Sequence, residues 1–160
     1  MSDQLLPEYY LRTGSGLDRA LLVKFMQQTY QELSQEQDFS HLARTVEQYF
    51  SGETPLWWVD FLGSPSPVAC LWVGNAVDQV RGDRHAHIFL LYVIPEHRRQ
   101  GIGTALMRYV ENWASSRGDH QIGLQVFQSN RPALNLYNQM GYQTQSLWMV
   151  KTLYPETVVD

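Results

Sequence analysis

One stretch constrains this chain more than any other: an apolar run stops at a cationic turn carrying two glycines, and a helical pattern begins at once. The run is His87-Ile88-Phe89-Leu90-Leu91-Tyr92-Val93, and the turn continues Ile94-Pro95-Glu96-His97-Arg98-Arg99-Gln100-Gly101-Ile102-Gly103-Thr104. Beyond it, Ile102, Ala105, Leu106, Tyr109, Val110, Trp113 and Ala114 recur on one helical face. A helix that starts at such a turn leaves its first amides without intrahelical acceptors. Its field also favours a negative charge by roughly 0.3–1 kcal/mol when exposed. Strand, glycine turn and helix therefore form a credible diphosphate site, with Arg98 and Arg99 as added donors. The plainer reading is that Gly101 and Gly103 only tighten a strand-to-helix turn.

Length and charge narrow the classes. A chain of 160 residues, 44% hydrophobic, suits a single domain over 1–160 with a sizeable core. A net charge of -4 argues against nucleic-acid partners and acidic membrane surfaces, and the cationic patch is local. Cys70 is the sole cysteine and lies in an apolar run, so no intrachain disulfide can form and a buried inert thiol is expected. Asp3 and Glu8 stand where a secretory signal would need positive charge, and no stretch is long enough to span a bilayer. A cytoplasmic protein is the expectation.

Along the chain, residues 6–12 read as a first strand, with Pro7 fitting an edge or a start. Helices follow over 17–33, where Ser15 and Asp18 resemble a capping box, and over 39–50, closed by Ser51-Gly52. Residues 56–62 and 67–74 read as an antiparallel pair, and 75–84 as a loop or hairpin into a strand over 86–93. After the helix of 101–117, residues 121–127 read as a strand parallel to 86–93. Asn130 caps a helix with an early proline, Pro132, that ends at Gly141-Tyr142. Residues 143–153 read as the last strand, with a tail from 154 that can fray.

The turn lacks the Gly-Lys-Ser/Thr of triphosphate-binding loops and the third glycine of the dinucleotide fingerprint. It instead resembles the pyrophosphate motif Arg/Gln-x-x-Gly-x-Gly/Ala of the GNAT family of acyl-coenzyme A dependent N-acetyltransferases, in Arg98-Arg99-Gln100-Gly101-Ile102-Gly103. A second signature resembles Asn130-Arg131-Pro132-Ala133-Leu134-Asn135-Leu136-Tyr137 followed by Gly141-Tyr142, and the similarity spans roughly residues 5–153. The resemblance implies an α/β (α+β) fold: a mixed, mostly antiparallel sheet with helices on both faces and a splayed parallel strand pair. It further implies acetyl-CoA as cosubstrate, with pantetheine in the slot beside Leu91, Tyr92 and Val93. The diphosphate would then rest on Arg98, Arg99, Gln100, Gly101, Ile102, Gly103 and Thr104. Asn130 and Ala133 would meet the cofactor arm, and Tyr137 would sit near the thioester sulfur.

Acetyl transfer to an amine needs a neutral nucleophile, a stabilised oxyanion and a proton for the departing thiolate. Tyr137 can supply that proton, or else be a core residue of its helix. The main-chain N–H near Val93 is the oxyanion candidate by family analogy. Relatives often carry a glutamate in the stretch that here reads Ala86-His87-Ile88. His87 is therefore either the base, directly or through water, or a structural or substrate contact, or a bystander. Glu96, Tyr92 and Asp60 are weaker bases, and His85 with His87 lacks a third ligand, so no metal is expected. The acceptor would meet the helical pair of 17–50, Trp57 or Trp58, the loop of 75–84 and the last strand, where Trp148 lies. Glu47, Glu53, Asp60, Asp78 and Asp83 are acidic candidates for its amine, or simply solvated surface. Two functions follow: an N-acetyltransferase acting on a primary amine of a small molecule or protein, and a catalytically inactive CoA-binding or regulatory module. A homodimer is compatible with either.

Overall fold

The computed structural model describes residues 3–34 and 38–154. Its sheet is six-stranded in the order β1 (Asp3–Leu6), β2 (Tyr9–Thr13), β3 (Leu56–Phe61), β4 (Ala69–Val77), β5 (Arg84–Val93), β6 (Ile122–Leu124). All neighbours are antiparallel except β5 and β6, which run parallel. Helices α1 (Arg19–Leu33) and α2 (His41–Tyr49) cover one face, and α3 (Ile102–Ser116) covers the other, with α4 (Arg131–Gln139) beside it.

Alternation along β3 divides the core. Trp57 meets Tyr109 and Trp113 of α3 at 5.3 and 5.5 Å between ring centres, while Trp58 meets Phe25 of α1 at 5.3 Å. Both indoles are buried, so neither reaches a cleft. Leu22, Leu71 and Leu106 are fully buried, each worth about 1.5–3 kcal/mol of burial. The Cys70 thiol is buried and pushed well above its usual pKa by that burial, as expected of an inert cysteine.

Local signals worked where side chains meet their own backbone. Ser15 and Asp18 form the expected capping box ahead of α1, and Asn130 caps α4 by accepting from the Ala133 N–H at 3.4 Å. Three expectations need correction. The strand expected over 6–12 is a hairpin, β1 to β2, because Pro7 has no N–H for a ladder and Glu8 takes φ 69°. The strand expected over 121–127 is limited to Ile122–Leu124. No strand forms over 143–153 among the described residues: the segment is irregular and exposed throughout. Residues 155–160 of the tail lie outside the described residues.

Candidate active site

The parallel pair opens a gap. β5 and β6 are paired only at Ala86–Ile122, His87–Gly123 and Ile88–Leu124. Beyond Ile88, β5 continues to Val93, whereas the chain after Leu124 leaves and Phe127 stands 6.5 Å from the Tyr30 ring of α1. Leu91, Tyr92 and Val93 therefore lie along a stretch of β5 with no strand partner on that side among the described residues.

A bulge marks the same place. Val73 opposes Ile88 and Trp72 opposes Leu90, so Phe89 is an extra residue in β5. Phe89 and Leu90 both pack on the α1/α2 cluster as a result, and Leu91 returns to the α3 cluster.

The turn after Val93 is held from two sides. His97 Nδ1 is 2.9 Å from the Tyr9 hydroxyl, and its ring lies 4.8 Å from that of Phe61. Arg98 donates from Nε to the Val93 carbonyl at 2.9 Å and from one terminal nitrogen to both carboxylate oxygens of Glu32 at 2.8 and 2.7 Å. The Tyr92 hydroxyl donates to the same carboxylate at 3.0 Å. Burial first, then this hydrogen bond to Glu32, pushes the Tyr92 pKa up to about 12. Arg98 thus braces β5 against α1, while Arg99 and Gln100 are exposed.

Arg99 adopts φ 62° and Gly101 φ 85°, the left-handed conformations that swing the chain into α3. The α3 N-terminus has no side-chain cap, and its first backbone bond to the turn runs from the Ala105 N–H to the Gly101 carbonyl. The N–H groups of Ile102, Gly103 and Thr104 precede the first residue able to reach an intrahelical acceptor. They form a crown suited to an anion beside the mouth of the gap. α4 closes in behind it: a β-carbon at Gly103 would lie 3.5 Å from Leu136 Cδ2.

Tyr137 follows Leu136 and packs, half-buried, on the α3 cluster, 5.8 Å ring to ring from Tyr142. Burial raises its hydroxyl pKa, so the group stays protonated at neutral pH. Tyr142 donates to Glu111 at 2.8 Å and fixes the end of α4. His87 stands on the other face, its ring 5.9 Å from that of Phe89. Burial and the neighbouring His85 lower its pKa and keep the imidazole neutral. The sheet separates His87 from Tyr137, and His87 lies where β5 and β6 are still paired, short of the gap that opens beyond Ile88.

The other candidates scatter. Asp60 is paired with Arg12 at 2.7 Å, and Asp78 is buried with its carboxylate accepting from the Val80 N–H. Glu47, Glu53, Asp83, Glu96 and Trp148 are exposed. Among the described residues no group of three or more His, Cys, Asp or Glu side chains gathers as a metal site needs. Sequence reading missed Phe89 as a bulge, Glu32 as the Arg98 partner and Glu111 as the Tyr142 acceptor. Gly74, inside a strand and opposite His87, was the one visible hint of close approach there.

The family model described as Acetyltransferase (GNAT) family matches residues 22–142. Thialysine N-epsilon-acetyltransferase of Mus musculus is 38% identical over 60 residues, which are 38% of this chain and 35% of that protein. Peptidyl-lysine N-acetyltransferase of Escherichia coli is 36% identical over 71 residues, 44% of this chain and 45% of that one. The chain thus spans less than half the length of these curated relatives. A predicted acetyltransferase of Clostridium acetobutylicum, solved with acetyl-CoA, shares the fold at a TM-score of 0.72 and 21% identity, covering 91% of this chain and 96% of that one. Those 121 matched positions include the splayed strands, the amide crown and the tyrosine helix, and the chain belongs to the GNAT acetyltransferase family.

Proposed function

We propose that this protein moves an acetyl group from acetyl-CoA to a primary amine by direct transfer. The observation that carries the reading is the uncapped α3 N-terminus opening beside a gap between parallel strands, with the α4 tyrosine packed behind. The Ile102, Gly103 and Thr104 amides and the exposed Arg99 would hold the diphosphate, and Gln100 and Gly101 shape that turn. The edge of β5 at Leu91–Val93 would line the pantetheine arm, with Asn130 and Ala133 at its far side. Acetyl-CoA supplies the activated acyl group. The chain supplies orientation, a Val93 main-chain donor for the oxyanion, and a proton from Tyr137 for the thiolate.

His87, held neutral by burial, is the candidate that accepts the amine's proton, directly or through water. The acceptor would approach from the α1/α2 side, where His87 and Phe89 face. Primary amines of small molecules and of lysine side chains are the substrate classes supported by the names of the relatives.

Titration with acetyl-CoA, followed by an amine panel, tests the reading. Binding and transfer to at least one amine are expected, and Tyr137→Phe should lower turnover by about 10- to 100-fold with cofactor affinity largely kept. Failure to bind acetyl-CoA at millimolar concentration would defeat the reading. Binding without transfer to any amine would leave a regulatory module instead.

A further inference from the structure

We infer that the acceptor amine is carried on an aromatic stem, an arylalkylamine in chemical class, and that this stem seats between Tyr30, Phe39 and Phe127. The inference rests on the acetyl-transfer reading and narrows its acceptor. An opening of about 490 Å³ lies between the last turn of α1, the start of α2 and the chain just past β6, lined mainly by Tyr30, Leu33, Asp38, Phe39, His41 and Phe127. Small-molecule sites are typically of this kind: roughly 300–1,000 Å³, mostly apolar, with a few polar groups.

The walls are rings. Tyr30 stands 6.5 Å from Phe39, tilted by 33°, and 6.5 Å from Phe127, nearly edge-on at 81°. Phe39 is buried, whereas Phe127 keeps 57% of its surface open. A further flat ring set among these faces gains the offset and edge contacts that aromatic pairs prefer at about 4.5–7 Å, and it covers Phe127.

The charge in the slot selects a cation. Asp38 is the only carboxylate among the described residues that line it, and no lysine or arginine joins them. Hydrogen bonding from Ser40 holds the Asp38 carboxyl below its usual range, so it is ionised at neutral pH. An ammonium is drawn by that rim charge and by the ring faces, while an anionic molecule is repelled. A polycation would need several acceptors spaced along the slot, and here Leu33 and three rings stand in their place.

The slot sits beside the cofactor end of the site. Phe127 lies just past Leu124, where the chain leaves β6 and the gap opens. Tyr30 shares the last turn of α1 with Glu32, which accepts from both Tyr92 of β5 and Arg98 of the turn. A stem seated there is on the α1/α2 side, from which the acceptor approaches. In the transfer, the amine nitrogen bonds the acetyl carbon as the carbon–sulfur bond breaks. Coenzyme A leaves as its thiol and the amine's proton goes to the base.

Calorimetric binding and acetyl transfer on the full chain, with 2-phenylethylamine, propylamine and a lysine-containing peptide, test this. Expected for 2-phenylethylamine are an affinity and a kcat/KM roughly 10- to 100-fold above those of propylamine, from covering one phenyl group. Phe127→Ala should cut that ratio several-fold, a change of preference that a general loss of fold would not produce. Asp38→Asn should raise KM for 2-phenylethylamine at low salt, an effect that added salt removes. Equal values for the two small amines in the parent overturn the inference. So does a preference for the peptide, or a ratio that Phe127→Ala leaves in place. Transfer to propylamine and not to 2-phenylethylamine defeats this inference and leaves acetyl transfer standing. Acetyl transfer itself fails only if no amine is acetylated, and the binding ratio then still decides whether the slot selects an aromatic amine.

Discussion

The ring of Phe89 rests on Gly74. A β-carbon built at Gly74 would stand 2.1 Å from two of the ring atoms, far inside contact distance. Gly74 has no positive φ to defend, so what the position needs is room for the ring. Gly74→Ala should push Phe89 off its place against Trp72 and Tyr49 and cost about 1–3 kcal/mol, as overpacking does. Urea unfolding measures the loss, and adding Phe89→Leu should recover part of it. A Gly74→Ala chain as stable as the parent would mean the ring has another comfortable position.

That pair also shows where sequence reading stops. Periodicity located most elements, since burying one face of each strand or helix is what fixes them. Caps were legible at Ser15 and Asn130 because a side chain bonds its own backbone a few residues on. The bulge at Phe89 was not, because an extra residue in one strand depends on the partner strand's register. Arg98 read as a phosphate donor, and its bond to Glu32 of α1 was invisible because the two are 66 residues apart. The strand read at 143–153 has the right composition, but composition does not supply a neighbour to pair with.

Burial and then Glu32 raise the pKa of Tyr92. Burial of the ring is the larger cause, and the hydroxyl also donates to a carboxylate that would repel the tyrosinate. Glu32→Gln should lower the Tyr92 pKa from about 12 while burial keeps it above the ordinary value near 10. Ultraviolet titration, with Tyr92→Phe to assign the signal, reads this directly. The Glu32–Arg98 pair is 38% and 43% exposed, so the same variant should cost no more than about 1 kcal/mol of stability. An unmoved Tyr92 titration would show that the carboxylate does not hold the hydroxyl in solution.

His87 gives stability a defined pH dependence. Its folded pKa lies below the unfolded value of 6.5, so near and below that value the unfolded chain binds the extra proton more readily. Above the unfolded pKa the imidazole is neutral in both states, and the group adds no pH dependence there. As pH falls from about 7 through 6.5 toward the folded pKa, the group therefore subtracts stability. His87→Gln should flatten this acid-side decline in unfolding free energy. If His87 is also the base, the variant should remove the acidic limb of the rate profile. An unchanged stability slope would contradict the neutral, partly buried imidazole.

Gly101 and Gly103 sit two residues apart and should respond to alanine in different ways. Gly101 takes φ 85°, where an L side chain costs roughly 1–2 kcal/mol, so Gly101→Ala should lower stability by about that amount. Gly103 lies inside the first turn of α3 with no positive φ, and its added β-carbon would meet Leu136 at an ordinary 3.5 Å. Alanine is also the better helix former by about 1 kcal/mol, so Gly103→Ala should leave stability unchanged or higher. Its methyl points at Leu136 behind the amide crown, and the family motif takes glycine or alanine at this place, so acetyl-CoA binding should be largely kept. Calorimetric titration beside thermal unfolding separates the two effects. A large loss of cofactor affinity in Gly103→Ala would mean that the methyl obstructs the diphosphate and does not lie against Leu136.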